Sequence, residues 1–579
     1  MQTLTKIFTA ILLLCTALEL SAQNTKVSGR VIDGTGSPLV AVTVYEDGRT
    51  SNGTVTDIDG RYVLTVSSPD ATLIFSCLGF AESRQSVGGR TSIDVTLKEE
   101  QLSLDAAEVV SVGYGTVARR DLTGSVSKVD MGELMKTPVT NFDQALTGKI
   151  AGVVVTTSDG ALGSEANITI RGNNSLTQSS APLYVIDGFP TESSMATSLN
   201  SADIESIDIL KDASATAIYG ARGANGVIVI TTKQGQEGKP KVNFNATWTM
   251  NQIANRVSLM DGYEFVKLQT EIYDITGNTN AYLKPSDADE LAGITAYTPE
   301  DYIGVPYNDW QDRLFRTSLT QNYSVSVSGG SKEAGNRYNI SLSALDQDGI
   351  IIRSNFQRYQ GKINFQQKFG KKVTLDALAN YSRSMTNGVT PTDAQAASSA
   401  TGWLMYSVWG YRPVKPLRSG NSDDLYDDLV DSEVTGANDY RFNPVKTAQN
   451  EHRKTIVDYL NANAGLTWEI IDGLKLKITG GYTMNKRRRE EFNGTQTYTG
   501  YAGSPSGKGI NGAIYWNSKV TWLNENTLTW TKNIRRRHHL QLLGGFTMQG
   551  ETFDYKGTAA TQMTTESLGL NGLHTGNYQ

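Results

Sequence analysis

The segment ILKDASATAIYGARGANGVIVITTKQG, which spans Ile209 to Gly235, decides how the chain is interpreted. It contains an alanine-rich patch, glycines at 220, 223 and 226, and then an apolar β-branched run. Loops that bind phosphates or dinucleotides place their glycines before a helix, so that the helix N-terminus faces the anion. Here Asp212 can cap a helix of about two turns over ASATAIY, and Gly220 ends that helix, so the glycines follow it. The segment therefore predicts a structural joint between a helix and a strand.

The composition of the 579-residue chain favours several domains rich in β-structure. Glycine is frequent (56), proline is sparse (14), and tyrosine is the dominant aromatic residue (26). A formal net charge of −6 gives no reason to expect a nucleic-acid partner. Two cysteines exclude a disulfide scaffold as the main stabiliser, and four histidines leave little material for a metal site.

The first 22 residues have the pattern of a signal peptide. Lys6 precedes an apolar stretch from Ile7 to Leu18, and small residues lead to a predicted cleavage after Ala22. The apolar stretch is too short to cross a bilayer as a helix. Lipid attachment at Cys15 is disfavoured, because a leucine inside the apolar core precedes it. The mature chain is therefore predicted to be exported, either as a soluble protein or as an outer-membrane β-barrel.

Residues 26–98 predict a small β-sandwich, with strands about every ten residues. KVSGRVIDGTGSPLVAVTVYEDGR alternates apolar and polar residues between turns, and GTVTDIDGRYVLTVSS and ATLIFSCLGF continue the pattern. DIDG at 57–60 is interpreted as a hairpin turn, because an EF-hand loop would need a glutamate where the chain has Ser68. The segment resembles the carboxypeptidase-regulatory-like, transthyretin-like β-sandwich found ahead of many Bacteroidetes outer-membrane proteins.

Residues 99–114, EEQLSLDAAEVVSVGY, form a predicted linker. The segment offers an acidic residue and a short β-branched run, which has high strand propensity but cannot bury itself. It fits a peptide that donates its backbone to the sheet edge of another protein, and it fits an ordinary linker strand equally well.

Residues 115–235 alternate strands with short helices, which predicts a compact α+β domain. NFDQALTGKIAG is expected to form a short helix that Asn141 caps and that ends near Gly148. The predicted strands are GVVVTTS, ANITIRG, APLYVIDGFP and IESIDILKD.

Three segments in and before this domain carry a resemblance to a known family. VVSVGYGT with RRDLTGSVSKV, LYVIDGFP, and IESIDILKDASATAIYGARGANGVIVITTKQG resemble, in order, the plug of the SusC/RagA family of TonB-linked outer-membrane transporters. The sandwich fits the N-terminal extension of that family. The resemblance implies a plug that blocks a barrel, preceded by a TonB box, the exposed segment that the periplasmic protein TonB binds.

The resemblance assigns site residues in the linker and in the plug. The register of the box is open by a residue or two, because no threonine follows its glutamate. Arg171 and Arg222 lie in predicted plug turns, where they are expected either to contact substrate or to form ion pairs between plug and barrel. The TonB box is placed at Glu108, Val109, Val110, Ser111 and Val112. The structural joint of the plug is assigned to Asp212, Gly220, Arg222, Gly223 and Gly226.

The resemblance implies that residues 239–579 form the N-terminal part of a TonB-dependent receptor β-barrel. Segments such as KVNFNATWTM, QNYSVSVSGG and LKLKITGGYTMN alternate apolar and polar residues over lengths that cross a membrane, and Tyr and Trp lie near strand ends. The stretch from Gly388 to Arg453 suits an extracellular loop. Its aromatic segment WLMYSVWGYRP suits stacking on sugars or packing against a partner lid. Its aspartates at 423, 424, 427, 428 and 431 fit a solvated acidic loop better than a calcium site.

The predicted fold class is mainly β: an N-terminal transthyretin-like β-sandwich, an α+β plug domain and part of an antiparallel transmembrane β-barrel. About nine clear barrel strands follow Lys239, or eleven with ambiguous ones, whereas barrels that enclose a plug need about 22. The polar end TESLGLNGLHTGNYQ differs from the amphipathic aromatic strand with which such barrels usually finish. We therefore expect an N-terminal fragment of a longer chain and an unclosed sheet.

The predicted function is TonB-coupled import of a large nutrient, a glycan or an oligopeptide, across the outer membrane of a Bacteroidetes-like Gram-negative cell. The resemblance implies a SusD-like surface lipoprotein as a lid and outer-membrane lipid around the barrel, without a cofactor or nucleic acid. A surface adhesin or sensor on the same barrel, without transport, is the alternative. An enzyme is disfavoured because no nucleophile–base set or zinc-ligand set stands out, and no histidine forms H-E-x-x-H.

Overall fold

The computed structural model describes residues 25–578 apart from short gaps. The predicted signal peptide at 1–22 and Glu108 of the predicted TonB box lie outside the described residues. The chain divides into two compact units; one contains the residues up to Val109 together with 118–120, and the other contains the rest. The gaps fall at 35, 78–79, 98–108, 113–114, 119–125, 137–140, 158–159, 165, 175–178, 192–197, 278–279, 392–403, 420–424, 432–440 and 535–537.

The first unit contains a sandwich of two β-sheets. Its strands are β1 (Thr25–Ile32), β2 (Thr43–Glu46), β3 (Arg49–Val55), β4 (Arg61–Val66), β5 (Thr72–Cys77), β6 (Phe80–Ser86) and β7 (Val95–Thr96). One sheet has the order β4-β1-β7 and the other the order β3-β2-β5-β6. On β4, Tyr62, Leu64 and Val66 are buried and the residues between them are exposed, as the two-residue period of a strand requires. Tyr62 packs edge to face against Phe75 of the second sheet, so both sheets share one core.

A buried carboxylate links three segments of the sandwich. Glu46, at the end of β2, accepts hydrogen bonds from Asn52 Nδ2 (2.8 Å), from the backbone N–H of Ser67 (3.2 Å) and from the Ser67 hydroxyl. Burial disfavours the ionised form of Glu46. The hydrogen bonds outweigh burial, so they lower the pKa of the Glu46 carboxyl below its ordinary value.

A small sheet and an α+β domain follow the sandwich in sequence. Strands β8 (Val109–Val112) and β9 (Gly115–Ala118) form a two-stranded sheet. The helices of the α+β domain are α1 (Met131–Met135), α2 (Phe142–Ala145) and α3 (Ala213–Thr216). Its strands are β10 (Val126–Lys128), β11 (Val153–Thr156), β12 (Asn167–Ile170), β13 (Leu183–Ile186), β14 (Phe189–Thr191), β15 (Ile204–Leu210) and β16 (Val227–Thr232).

The five-stranded sheet of the α+β domain has the order β10-β15-β16-β13-β14, and β11 pairs with β12 separately. Strand β16 is parallel to β13 and antiparallel to β15. Its run Val227, Ile228, Val229 and Ile230 is buried on both faces, which explains why its sequence is continuously apolar and does not alternate.

The remaining residues form a ten-stranded antiparallel sheet whose strands follow sequence order. Nine of the strands described are 13 to 24 residues long, and the tenth has two residues. The strands are β17 (Gly238–Asn251), β18 (Ser318–Ser331), β19 (Asn336–Asp348), β20 (Asn355–Phe369), β21 (Val373–Asn387), β22 (His452–Ile471), β23 (Leu474–Asn493), β24 (Asn511–Ile534), β25 (His538–Thr561) and β26 (Asn577–Tyr578).

The two faces of this sheet have opposite character. On β20, Arg358, Gln360 and Lys362 are buried, whereas Tyr359 and Ile363, at the alternate positions, are about half exposed. Strand alternation sends these two sets to opposite faces. A sheet that buries polar residues and exposes apolar ones inverts the pattern of a water-soluble protein and suits a wall in contact with lipid. The predicted mainly β fold, with its sandwich, α+β domain and antiparallel sheet, is confirmed.

The connections at the two ends of the sheet differ in length, and we call these ends the turn end and the loop end. At the turn end, residues 332–335, 370–372 and 472–473 join neighbouring strands. At the loop end, the segments 252–317 and 388–451 carry five helices among their described residues. In the described part of the chain, no helix is both long and apolar enough to cross a membrane. The loop-end helices are α4 (Gly262–Thr276), α5 (Asp287–Leu291), α6 (Trp310–Leu314), α7 (Leu404–Gly410) and α8 (Pro444–Asn450).

We expect Glu46→Gln to weaken the sandwich at pH 7 by about 1–3 kcal/mol, the range for hydrogen bonds to a charged group. A carboxyl whose pKa is lowered by folding stabilises the fold above its unfolded pKa, and this contribution is lost as the pH falls through the folded pKa. The difference between wild type and variant should therefore shrink towards pH 3. Urea unfolding of residues 25–97, which share their own core, measures it.

Glu82→Gln is the matched control, because Glu82 lies exposed on β6. It should change the unfolding free energy little at any pH. A difference between wild type and Glu46→Gln that is the same at pH 7 and pH 3 would show that the charge of Glu46 does not stabilise the sandwich.

Candidate functional site

The joint between β15 and β16 places its glycines after a helix. Helix α3 is a single turn, and a 3₁₀ segment, Ala217–Gly223, follows it. Gly220 has φ 58° and ψ −145°, a conformation essentially restricted to glycine, and Gly226 has φ 89°. The helix expected over two turns is therefore one α-turn that continues through a kink as a 3₁₀ segment.

Close packing adds a second constraint at the same glycines. A Cβ atom on Gly226 would lie 2.7 Å from Cδ1 of Ile170, and one on Gly223 would lie 2.9 Å from the carbonyl oxygen of Thr216. Neither neighbour is the free end of a long flexible side chain. The geometry is that of a packed helix-to-strand turn, which supports the structural role assigned to these glycines.

Asp212 precedes α3 but does not cap it with its side chain. Its carboxylate instead forms an ion pair with Arg171, which has φ 58° just after β12. The side-chain cap predicted for Asp212 is therefore wrong, because the guanidinium offers the carboxylate a charged partner. Arg171 correspondingly pairs inside the α+β domain, not with the ten-stranded sheet.

Two residues singled out in the sequence reach the ten-stranded sheet instead. Arg222 Nη1 donates to Oε1 of Gln549 on β25 at 2.9 Å. Asn141 holds the position before α2 but makes no side-chain cap; its Oδ1 lies 3.5 Å from Nη1 of Arg358 on β20. In place of the expected ion pair, the charged guanidinium of Arg222 thus donates to a neutral amide of the sheet, and the cap predicted for Asn141 is replaced by a contact with the sheet.

The described residues of the predicted TonB box are in strand conformation. Val109–Val112 form β8, which pairs with β9 in its two-stranded sheet. This conformation is the one that addition to another sheet edge requires. The assignment of the box itself stays a prediction.

The α+β domain contacts the polar face of β20 through hydrogen bonds. Gln360 Oε1 accepts from the backbone N–H of Asn200 at 2.9 Å, and Gln360 Nε2 donates to Asn380 Oδ1 at 2.8 Å. Lys362 Nζ donates to the carbonyl oxygen of Lys233 at 3.5 Å. These contacts run from the domain through β20 to β21.

Two buried cations of β20 face carboxylates of the α+β domain. Lys362 is 1% exposed and Arg358 3% exposed. The charge of Asp203 acts on both, and that of Asp187 acts on Lys362. Burial raises the pKa of the Asp187 carboxyl, although the backbone N–H and hydroxyl of Thr232, each at 2.8 Å, favour its ionised form. The carboxylates compensate buried positive charge that would otherwise be costly.

A cavity of about 360 Å³ opens between the α+β domain and the sheet near the loop end; we call it the loop-side cavity. The domain contributes 161–164, and Cβ-less Gly163 lies against Phe356 of β20. Positive charge exceeds negative charge in the lining, since Glu490 is its sole carboxylate among the described residues. The cations are Arg358, Arg453, Lys454, Arg487 and Arg489. Two of these cations pair with carboxylates outside the lining, Arg453 with Glu451 at 3.0 Å and Arg489 with Glu491. The positive charge that remains attracts ligands that carry negative charge.

This cavity was not predicted from the sequence, although the run KRRREE at 486–491 carried a signal for it. Strand alternation on β23 places Arg487 and Arg489 on the cavity side. Arg488 points the other way, with its guanidinium 5.9 Å from the ring centre of Trp516. Strand alternation applied to this charged run would have predicted that Arg487 and Arg489 share one face and that Arg488 lies on the other.

A second cavity of about 240 Å³ lies nearer the turn end; we call it the turn-side cavity. The α+β domain contributes Asp187, Phe189 and Gln234. Its sheet lining is mostly polar and comes from β20 to β23. It includes Asn364, Gln366, Asp376, Asn463, Lys477 and Thr479.

A third cavity, of about 630 Å³, lies within the loop-end segments and has an aromatic lining. Trp310 and Tyr411 pack edge to face at 5.1 Å and are buried, whereas Trp409 and Tyr307 are about half exposed. The aromatic segment predicted to stack on sugars therefore contains both buried and accessible rings. Tyr411 belongs to the hydrophobic core of the loop-end segments, and Trp409 is accessible.

The described aspartates of the acidic loop segment pair with cations. Arg412, itself buried, forms ion pairs with Asp428 (2.8 Å) and Asp431 (3.6 Å), and Lys446 pairs with Asp427 (3.1 Å). The expectation of a solvated acidic loop is wrong for Asp431, which is fully buried. Asp423 and Asp424 lie outside the described residues. No group of three His, Cys, Asp or Glu residues in the described chain is placed to hold a metal.

Two family models match the chain. The TonB-dependent Receptor Plug Domain matches residues 118–227, and the CarboxypepD_reg-like domain matches residues 27–110. The first covers most of the α+β domain and the second covers the sandwich with the segment up to β8.

Curated relatives match over most of the chain. It is 33% identical to TonB-dependent receptor P3 of Formosa agariphila over 558 residues, which is 96% of this chain and 51% of that receptor. It is 38% identical to TonB-dependent receptor SusC of Bacteroides thetaiotaomicron over 374 residues, 62% of this chain and 34% of that receptor. The chain spans about half the length of the first of these relatives.

A solved structure has the same fold. The RagAB peptide importer in its open-open state matches with a TM-score of 0.65 and 28% identity. The match covers 81% of this chain and 52% of the importer chain.

We expect Gly226→Val to destabilise the α+β domain by about 3 kcal/mol or more. A β-branched residue at φ 89° is strained, and its Cβ would overlap Ile170. Limited proteolysis of the folded chain at rising urea concentration measures the loss. Gly480→Ala, at a site with open space and ordinary φ, is the control and should behave like wild type. If Gly226→Val resists protease as well as the control does, the glycine has no structural role.

Proposed function

The chain belongs to the SusC/RagA family of TonB-dependent receptors, and we propose that it takes part in TonB-coupled import of a large nutrient across the outer membrane. In this proposal the α+β domain is the plug and the ten-stranded sheet is part of the barrel wall. TonB binds the segment at 108–112 and pulls on the plug, and the displaced plug opens a path along the wall. No covalent step is required of the protein.

One observation carries the proposal: the plug meets the wall through separate polar contacts, not through a continuous apolar core. The contacts of Gln360, Lys362 and Arg222 each join one side chain to one partner across the interface. The hydrogen bond of the neutral Gln360 contributes about 0.5–1.5 kcal/mol net and those of the charged Lys362 and Arg222 about 1.5–3 kcal/mol each, because water replaces them when the surfaces separate. A plug held in this way can be moved by an external pull without unfolding its own Ile- and Val-rich core.

The outer face of the wall supports an outer-membrane location. Phe244, Trp248, Leu342 and Phe546 are all more than half exposed on strands whose opposite face is polar. Exposed apolar area of this extent is stable only against lipid or another apolar surface. Export by the predicted signal peptide at 1–22 is part of the same proposal.

The conformation of β8 supports the assignment of the TonB box. A strand in a two-stranded sheet has a second edge whose N–H and C=O groups can pair with a strand of another protein. We place TonB at that edge. The pull then acts on the chain just before the plug, which begins a few residues later.

The lining of the loop-side cavity and the exposed aromatic rings of the loop-end segments support the proposal that the substrate is a polar polymer. The excess of arginines in the cavity suits carboxylate groups, which both acidic glycans and oligopeptides carry. The RagAB structure is that of a peptide importer, and this chain is 28% identical to it. Glycan and oligopeptide remain the two substrate classes proposed here. Half-exposed Trp409 and Tyr307 offer a surface on which a SusD-like lipoprotein lid is proposed to rest.

Growth and binding on defined substrates separate import from adhesion. Cells with and without the gene are grown on single glycans and on peptide mixtures as sole carbon source, and surface binding of the same substrates is measured. An importer supports growth on at least one substrate. An adhesin or sensor binds substrate at the surface and leaves growth unchanged.

We expect Val110→Pro, in the complete native protein, to abolish uptake while surface binding of substrate continues. Proline removes the backbone N–H of residue 110 and fixes its φ, so the strand can no longer complete a ladder with TonB. Uptake and binding of a labelled substrate by whole cells measure the two effects separately.

Val110→Ala is the matched control, because it shortens the side chain and keeps the N–H group. It should retain most of the uptake. Normal uptake by Val110→Pro would mean that the box lies elsewhere or that import is not coupled to TonB, and loss of uptake in both variants would point to the side chain.

A further inference from the structure

The loop-side and turn-side cavities lie on the same strands of the wall. Arg358, Ser384 and Val457 are paired across β20, β21 and β22 and line the loop-side cavity. Six residues further along, a second row on the same strands lines the turn-side cavity: Asn364, Leu378 and Asn463. Six residues of β-strand span roughly 20 Å. The two cavities are therefore consecutive spaces along one stripe of the wall.

A narrow belt of six inward-facing residues separates the two cavities. Each strand contributes two of them, and none is more than 5% exposed. The plug closes the belt through the Asn200 N–H on one residue and the Lys233 carbonyl on another. The belt consists of Gln360 and Lys362 on β20, Asn380 and Ser382 on β21, and Tyr459 and Asn461 on β22.

The belt, and its edge next to the turn-side cavity, hold buried amide atoms without a hydrogen-bond partner among the described residues. They are Nδ2 of Asn380, Oδ1 of Asn461 and both amide atoms of Asn463. All three side chains are more than nine-tenths buried. An unsatisfied buried polar group costs about 1–3 kcal/mol, so each of them gains when a chain of hydroxyl or amide groups passes.

A tight turn of the plug lies at the edge of the belt next to the turn-side cavity. Asp187 and Gly188 both have positive φ, 50° and 88°, as a tight two-residue hairpin turn requires. The turn presents Phe189 to the wall beside the turn-side cavity. A Cβ on Gly481 of β23 would lie 2.6 Å from Cε1 of Phe189, so the ring fits only because residue 481 is glycine.

We infer that substrate crosses along this stripe of β20, β21 and β22. The β13–β14 turn with Phe189 is the gate at the turn-side end of the stripe. The inference rests on the proposed import function and deepens it. When the pull displaces the turn, the two cavities join through the belt. Lys362, uncovered at the centre of the belt, then places a positive charge between the arginines of the loop side and Lys477 of the turn side. Asp187 and Asp376 offset Lys477 on the turn side, so the stripe suits a polar polymer whose negative charges the loop side attracts.

Thiol labelling in cells tests the path without knowledge of the substrate. Single cysteines are placed at Asn461, in the belt, and at Ser341 of the complete native protein, with Cys77→Ala as background. Ser341 pairs with Lys362 across β19 and β20 and is also buried, but it lies outside the belt. The probe is methanethiosulfonate ethylammonium, applied to cells growing on the substrates of the growth assay, with or without a protonophore.

We expect Asn461→Cys to react about tenfold faster in energised cells than in protonophore-treated cells, because the labelling rate follows the open population. Ser341→Cys should react slowly in both. Equal energy-dependent labelling at both positions would show that the plug leaves the whole wall, and it would overturn the local path. Energy-independent labelling at Asn461, in cells whose uptake is energy-dependent, would overturn it too. Cells without energy-dependent uptake would refute the import function itself.

A reversible lock tests the gate. Phe189→Cys with Gly481→Cys is expected to form a disulfide on oxidation, since position 481 faces Phe189 and a Cβ there would lie 2.6 Å from Cε1 of the ring. The oxidised form should lose uptake and the energy-dependent labelling at Asn461, and dithiothreitol should restore both. The same double variant kept reduced is the control, because it carries both substitutions and differs only in the cross-link. Normal uptake by protein shown by mass spectrometry to be cross-linked would overturn the gate.

Discussion

Lys362 is the residue on which the docking of the plug to the wall depends most directly. A lysine at the centre of a sheet face, with 1% of its surface exposed, needs opposite charge close by. The plug supplies the Lys233 carbonyl as hydrogen-bond acceptor and the charges of Asp203 and Asp187. Removing the plug would hydrate Lys362 rather than leave it buried alone. The contact of Lys362 with the plug therefore fixes the docked position, and breaking it costs little free energy because water replaces the plug around the ammonium group.

The inverted character of the ten-stranded sheet explains both its exposed apolar face and the cavities. Alternation puts the apolar residues on the exposed face and leaves asparagine, serine, arginine and lysine on the other face. A polar face packs less completely against a plug than an apolar one, because each amide needs its own partner. Among the described residues, the amide nitrogen of Asn380 and both amide atoms of Asn463 lack a hydrogen-bond partner, and this constraint accounts for them and for the spaces beside them.

The glycine joint shows which features a local sequence pattern predicts and which it does not. The order of helix and glycines, read from the residues of 212–226, was enough to separate a structural turn from a phosphate loop, and Gly220 and Gly226 adopt positive φ. Pattern did not identify the partner of Asp212, because Arg171 is 41 residues earlier in the sequence and comes close only when β12 packs beside the joint. Asn141 behaves likewise: its partner Arg358 lies on a distant strand.

The sequence by itself determined the class of each segment. Two-residue alternation defined the strands of the sandwich and of the sheet, and the continuous apolar run VIVI marked a strand, which the structure places at the centre of the plug sheet. These signals are local, because periodicity depends on neighbours along the chain. The candidate site was decided only by the tertiary structure. Arg358, Asn380, Asn461 and Phe189 form one path because pairing register and plug docking align them, and register depends on contacts between residues far apart in sequence.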